Sequence, residues 1–355
     1  MRGIVKSVLK DYAKNPLFWI GIIVVLAGVY QSLEPYLKIR YFQSDQEIAA
    51  FSDSSFIDAY VSEGWIPATR EKQRMLWEGK IKQNLEKDFE MSKEEAQGVI
   101  KEMAGMKIEE ACRYLEETYS YYNAYYVYED CAFYQGSARQ VNDYLKEELK
   151  EQRFSWCFSR KFADFAGVYA VFFSAILLAF LFLWDTRKNT YELLHTKPLK
   201  AWQYVLGKAA GGFLAVFFVL ALLTAVFFIL CSRTAMQLGT DVSVLDFLYA
   251  SCIYILPNLA MVVAVYVLIA LAFKNPLPAV PLLVLYFVYS NMGSWNENGE
   301  YGYYGRALAI VVRFPRDFFD IAPPPMVMWN QGALLLGTAI LLAVGIRIFK
   351  RRRYY

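Results

Sequence analysis

The residues that could do chemistry are few and scattered. The 355-residue chain holds one histidine, His195, and five cysteines: Cys112, Cys131, Cys157, Cys231 and Cys252. With one histidine and no CxxC pair, HExxH zinc binding and Ser/His or Cys/His catalysis lack partner residues, and no metal site is expected. Gly207-Lys208-Ala209-Ala210-Gly211-Gly212 offers glycine and lysine without the spacing or the preceding strand of a phosphate loop. Its small residues suit close helix approach instead. Asn258, Asn291, Asn330 and Gln331 lie in or beside apolar runs, where hydrogen bonding between helices is the expected role. The chain reads as non-catalytic, with no cofactor of its own.

The elements that must position these residues are apolar. Hydrophobic residues make up 57% and charged residues 20%, against roughly 45–50% and 25% in soluble domains. Runs free of Asp, Glu, Lys and Arg cover 15–33, 165–184, 209–232, 247–273, 275–296 and 321–346. Each contains a stretch near or above the roughly 18 residues of a spanning helix. They lack the two-residue alternation of barrel strands, and in hydrocarbon a continuous apolar run pairs its backbone within itself as a helix. A cytosolic enzyme, a disordered chain and a nucleic-acid binder are excluded, since a net charge of +3 is too weak and dispersed to bind phosphates.

The expected fold is an all-α polytopic membrane protein with six transmembrane helices. The spans read as 16–33, 163–184, 207–231, 248–273, 276–292 and 327–348. The first follows Arg2, Lys6, Lys10 and Lys14 like a signal peptide, but Val29-Tyr30-Gln31-Ser32-Leu33 is no small-residue cleavage site, so it reads as a retained anchor. Lysine and arginine near the span ends put both termini, the 185–205 loop and the basic tail 349–355 inside. Arg306, Arg313 and Arg316 run against that rule on the outside.

Residues 34–161 then form an extracytoplasmic, mainly helical domain carrying 24 acidic and 18 basic side chains, a net of −6. Ser92-Lys93-Glu94-Glu95 has the capping-box form. Val99 to Leu115 follows at roughly helical spacing, interrupted by Gly105. Residues 45–60 fit either a short helix or a loop. The cluster Tyr119, Tyr121, Tyr122, Tyr125, Tyr126 and Tyr128 reads either as helix packing and interface belt or as a gripping platform. All five cysteines fall on or near the outside, where disulfides persist. Pairing of Cys112 with Cys131 is left open, and an odd number leaves one thiol unpaired in a monomer.

The loop between spans two and three is longer than a turn requires. Thr190 can cap a short helix exposing Tyr191, Leu193 and Leu194, which Pro198 closes. Such a helix suits docking either onto another protein or onto lipid. Here the chain resembles the membrane-spanning subunit of ABC-2 type exporters. In that family an acidic residue, a threonine, a Leu-Leu pair, a proline and a distal Gly-Lys join spans two and three. The matching positions are Asp185, Thr190, Leu193-Leu194, Pro198 and Gly207-Lys208; Asn189 replaces the usual glycine, and Lys200-Ala201 the frequent Ser-Arg.

The resemblance implies that 185–205 contains a coupling helix seated on a separate ATP-binding subunit. Asp185, Thr190, Tyr191, Glu192, Leu193, Leu194, Pro198 and Leu199 would make that contact. ATP and Mg would be bound by the partner, not by this chain. It further implies an N-terminal amphipathic connecting helix (1–15), re-entrant helices within 293–325, and a second permease subunit, either another copy or a sister chain. The setting would be a bacterial plasma membrane, and the cargo a peptide, lipid or drug. The competing reading is a membrane sensor or scaffold whose 34–161 domain binds a ligand.

Overall fold

The first long helix begins where local chemistry dictates. The Asn15 side chain accepts the Leu17 amide at 3.0 Å, and Pro16 at the first turn gives up no donor the helix needs. The computed structural model describes residues 1–50, 60–179, 181, 199–273, 275, 277–295, 301–303 and 305–352. It divides into two compact units, Met1–Arg40 with Glu148–Tyr355, and Tyr41–Glu147.

The first unit opens with α1 (Arg2–Ala13) and α2 (Pro16–Leu37). The second contains α3 (Asp45–Ala49), a 3-10 turn at Tyr60–Glu63, β1 (Trp65–Pro67), α4 (Arg70–Asp88), α5 (Lys93–Glu102) and α6 (Ile108–Tyr119). α7 (Ala124–Glu129), β2 (Phe133–Gln135) and α8 (Ala138–Glu151) follow. The chain continues in the first unit with α9 (Phe154–Leu177), α10 (Ala201–Leu238), α11 (Val244–Phe273), α12 (Ala279–Asn291), β3 (Ser294–Trp295), β4 (Tyr301–Gly302) and α13 (Val327–Arg352). Both strand pairs are antiparallel, with Ile66 opposite Tyr134 and Ser294 opposite Gly302.

The protein is thus mostly helical with little strand. Among the described residues, four helices are long and apolar enough to cross a membrane: α2, α10, α11 and α13. Ile20, Ile23 and Val24 of α2, with Trp329, Leu335, Leu336 and Ile340 of α13, are exposed apolar side chains, the surface a bilayer would cover. α9 is equally continuous but carries three charges in one turn, and α12 has 13 residues.

Glycines set the closest helix contacts. A Cβ on Gly337 would lie 3.5 Å from the Met261 sulfur, and one on Gly345 3.4 Å from Leu271, so α11 and α13 run parallel. α1 turns Ile4, Val8 and Tyr12 inward and leaves Arg2, Lys6, Lys10 and Lys14 exposed. Ile4 sits over Gly207 and Val8 over Gly211, so the small residues of α10 admit α1. Midway along α11, Ser251–Ile255 forms a π turn, the Leu256 amide reaching back to the Ser251 carbonyl.

The second unit has its own core of Trp77, Ile81, Leu85, Val99, Met103 and Leu115. The Trp77 indole donates to the Ala124 carbonyl at 2.8 Å. Ser92 and Glu95 close the capping box of α5, and those hydrogen bonds hold the Glu95 carboxyl below the usual carboxylate range. The chain breaks between α5 and α6, where Gly105 takes φ +90°. The tyrosine cluster divides: Tyr121 is buried against Phe89, whereas Tyr122, Tyr125 and Tyr126 face outward. All five cysteines are free thiols, including the Cys112 and Cys131 left open as a pair.

Two expectations meet a different arrangement. Residues 293–325 show a small hairpin and then, among the described residues, turns, bends and irregular backbone in place of re-entrant helices. Pro315, Pro323, Pro324 and Pro325 remove four amide donors from that stretch, which disfavours a helix there. The amides in or near the spans do not link helix to helix either. Asn258 donates to Tyr254 on its own helix, Asn291 and Asn330 serve the irregular segment, and neither amide atom of buried Gln331 has a partner.

Candidate functional site

One turn of α9 buries three charged side chains, Arg160, Lys161 and Asp164. A buried charge without a partner costs several kcal/mol, so the partners define the arrangement. Lys161 and Asp164, three residues apart, share a helix face. That face holds the irregular segment 305–326. Lys161 Nζ donates to the Phe314 carbonyl at 2.8 Å and to that of Arg316. Asp164 accepts the Phe314 amide at 2.8 Å and the Arg313 guanidinium. Arg313 also donates to Asn291, at the end of α12, at 2.6 Å.

The reason is backbone accounting. Irregular chain packed against helices has amide and carbonyl groups with no ladder to join, and each needs a partner. The α9 charges supply several of these. Arg313 is ion-paired to Asp164 and so serves the packing of this segment. In the same segment burial pushes the Asp317 carboxyl up, Lys161 opposes this, and Asp320 adds to it.

Arg160 lies among aromatic rings. Its guanidinium carbon is 3.9 Å from the Trp156 ring centre and 4.9 Å from those of Tyr249 and Tyr254, while Nη1 is buried without a hydrogen bond. Beside it Asp246, at the start of α11, accepts Arg153 at 3.0 Å and Ser155 at 2.6 Å.

Where α12 ends and α13 begins there is a cavity of about 220 Å³. Residues 306–310 form one wall, fixed from both helices. Tyr286 donates to the Leu308 carbonyl at 2.5 Å, and Tyr289 to that of Ala307 at 3.0 Å. Ser290 accepts the Ile310 amide at 3.0 Å, and Asn330 donates to the Ala309 carbonyl at 2.8 Å.

The opposite end of the bundle is tied differently. Lys208 Nζ donates to the Leu181 carbonyl at 3.0 Å, and Tyr12 to the Leu177 carbonyl at 3.2 Å. α10 is thereby tied to Leu181, just beyond α9, and α1 to the last residue of α9. The expected ATPase-contact residues Asp185, Thr190, Tyr191, Glu192, Leu193, Leu194 and Pro198 lie outside the described residues. Leu199 is half-buried and lies two residues before the start of α10.

Arg160, Lys161, Asp164 and the cavity were not singled out from sequence. A signal existed: three charges within five residues at the head of an apolar run, and Arg306 and Arg313 bracketing an uncharged stretch. No family model, curated protein or solved structure matches the chain.

Proposed function

We propose that this chain is the membrane-spanning subunit of an ATP-driven exporter of the ABC-2 type. It moves a hydrophobic or amphiphilic cargo outward and is powered by a separate ATP-binding subunit. In this reading α2, α9, α10, α11, α12 and α13 are the six spans. Both termini are cytosolic, and 34–161 is extracytoplasmic. The membrane is the plasma membrane of a bacterium, and a second permease subunit completes the pathway.

The observation that carries the reading is the Lys208–Leu181 tie together with α1 packed over Gly207 and Gly211. A loop that receives force from a motor must pass it to more than one helix. Here α10 is bonded to Leu181 and packed on Leu178, just beyond α9, and an amphipathic helix with an exposed basic side lies against α10. Both features support a loop that moves α9, α10 and α1 as a body. ATP binding must favour one arrangement over another, because a ligand with equal affinity for both shifts nothing.

The test is co-purification from the native membrane. A bound ATPase that is lost with Leu193→Asp and Leu194→Asp is the expected result. Retention of the ATPase by the double variant, or labelling of Leu193 from outside, defeats the reading. The second reading, a sensor, is favoured by one observation: Tyr41–Glu147 is a compact unit with its own core and turns Tyr122, Tyr125 and Tyr126 outward.

A further inference from the structure

The cavity between the end of α12 and the start of α13 has the chemistry of half a ligand site. Its lining is largely apolar, with Val311, Val312, Val327 and Trp329 among its residues. Among the described residues its charged lining is Arg306 and Arg313, with no carboxylate. Arg313 is neutralised by Asp164. Arg306 is not: it donates to the Gly293 carbonyl and lies 5.4 Å from the Tyr289 ring centre, its Nε is buried without a partner, and among the described residues no carboxylate pairs with it. An uncompensated guanidinium in an apolar setting favours an anion, and its flat fork suits phosphate or carboxylate oxygens.

The walls are strained as well as shaped. Leu308 and Met326 both take left-handed backbone, φ 59° and 61°, and both line the cavity. Neither is a residue that adopts this conformation readily, and such strain persists where the surroundings enforce it. Around Leu308 the four hydrogen bonds with Tyr286, Tyr289, Ser290 and Asn330 do so. The opening is therefore preformed.

Size and surroundings narrow the occupant. A pocket enclosing a drug-sized ligand has roughly 300–1,000 Å³, so about 220 Å³ holds only part of such a molecule. Beside the opening, Met328, Trp329 and Leu336 of α13 are exposed apolar residues. A chain leaving the cavity would lie along them. We propose that this cavity binds a single-chain amphiphile with an anionic headgroup, the headgroup on Arg306 and the first part of the chain between Val312 and Trp329. Counting that amphiphile as exported cargo rests on the exporter reading; its binding does not.

The test uses the purified full chain in a non-ionic detergent without nucleotide. The probes are dibromostearoyl lysophosphatidate, the uncharged dibromostearoyl monoacylglycerol and inorganic phosphate. Bromine quenches nearby tryptophan fluorescence, and the component lost in Trp329→Phe reports the cavity. The lysophosphatidate should quench that component. Arg306→Gln should weaken its binding at least about tenfold, a loss of about 1.4 kcal/mol. Arg306→Lys, which keeps the charge and loses the fork, should bind between wild type and Arg306→Gln.

Ala333→Phe, which fills part of the lining without adding a tryptophan or touching a hydrogen bond, should abolish the quench even if Arg306→Gln folds poorly. Equal binding of the monoacylglycerol, an unaffected Ala333→Phe variant, or displacement by phosphate alone at the same concentration would overturn the proposal. A missing ATPase partner leaves this measurement intact, so the two readings fail separately.

Discussion

The two ends of the helical bundle are closed by opposite chemistry. At one end, α1 lies in a notch cut by glycines, and one lysine spans from α10 to the Leu181 carbonyl just beyond α9. At the other, a turn of α9 commits Lys161 and Asp164 to an irregular segment that no ladder could hold. The first end depends on the absence of volume, the second on the presence of charge. A notch yields gradually as atoms are added, because neighbours shift. A buried pair fails abruptly, since losing one member strands the other.

Substitutions can break this contrast in turn. The largest effect is expected from Asp164→Ala, which leaves Arg313 and the Phe314 amide without their acceptor. Breaking such a buried pair costs about 3–5 kcal/mol. Thermal unfolding in detergent should register this loss, and a double-mutant cycle with Arg313→Gln should return strong coupling. Independent, additive losses would mean that the pair does not hold the segment.

Lys208→Met should cost less, about 1.5–3 kcal/mol for a charge-assisted hydrogen bond, and should loosen α9 from α10. Cross-linking yield between cysteines placed at 178 and 212, which face each other across the two helices, reads this out in the Lys208→Met background, and an unchanged yield contradicts the tie. Gly211→Val comes next. Even the first added carbon would meet Val8 at 2.7 Å. Overpacking of this kind costs about 1–3 kcal/mol, and hydrogen exchange should rise in α1 while 305–326 stays protected. Increased exchange at both ends would show that they are not independent.

The smallest effect belongs to a control outside the bundle. Ser92 holds the Glu95 carboxyl below its usual range. A depressed carboxylate stabilises above its unfolded pKa, and that contribution disappears as pH falls through the folded value. Exchange at the start of α5 should therefore increase on acidification below about pH 4.3, the ordinary glutamate value. Glu95→Gln should remove the pH dependence, and both ends of the bundle should be unaffected.

Much of the fold was legible because apolar length and capping are local properties. Asn15-Pro16 and Ser92-x-x-Glu95 can be read directly, and the charge-free runs locate α2, α10, α11 and α13. The candidate site was not, because its logic is non-local. Asp164 and Arg313 are separated by 149 positions, and each looks like an ordinary end-of-span charge until the other is seen. Arg306, Arg313 and Arg316 looked like exceptions to a topological rule. In the structure two of them bond backbone or a buried acid, and Arg316 pairs with Asp320 at the surface. The prolines at 315 and 323–325 were visible in sequence, but which side chains would serve the amide-poor backbone was not.

The π turn in α11 sets a phase. An α-helix advances about 100° per residue, and the wide turn at Ser251–Ile255 accommodates one residue more than a regular helix would. Deleting a single residue there would restore uniform winding and swing everything before it around the axis by about that angle. Asp246 would leave Arg153 and Ser155, and Phe247 would leave the rings of Phe158 and Phe162. The helix would be more regular and the protein worse assembled, because this irregularity keeps the two halves of one helix addressed to different neighbours.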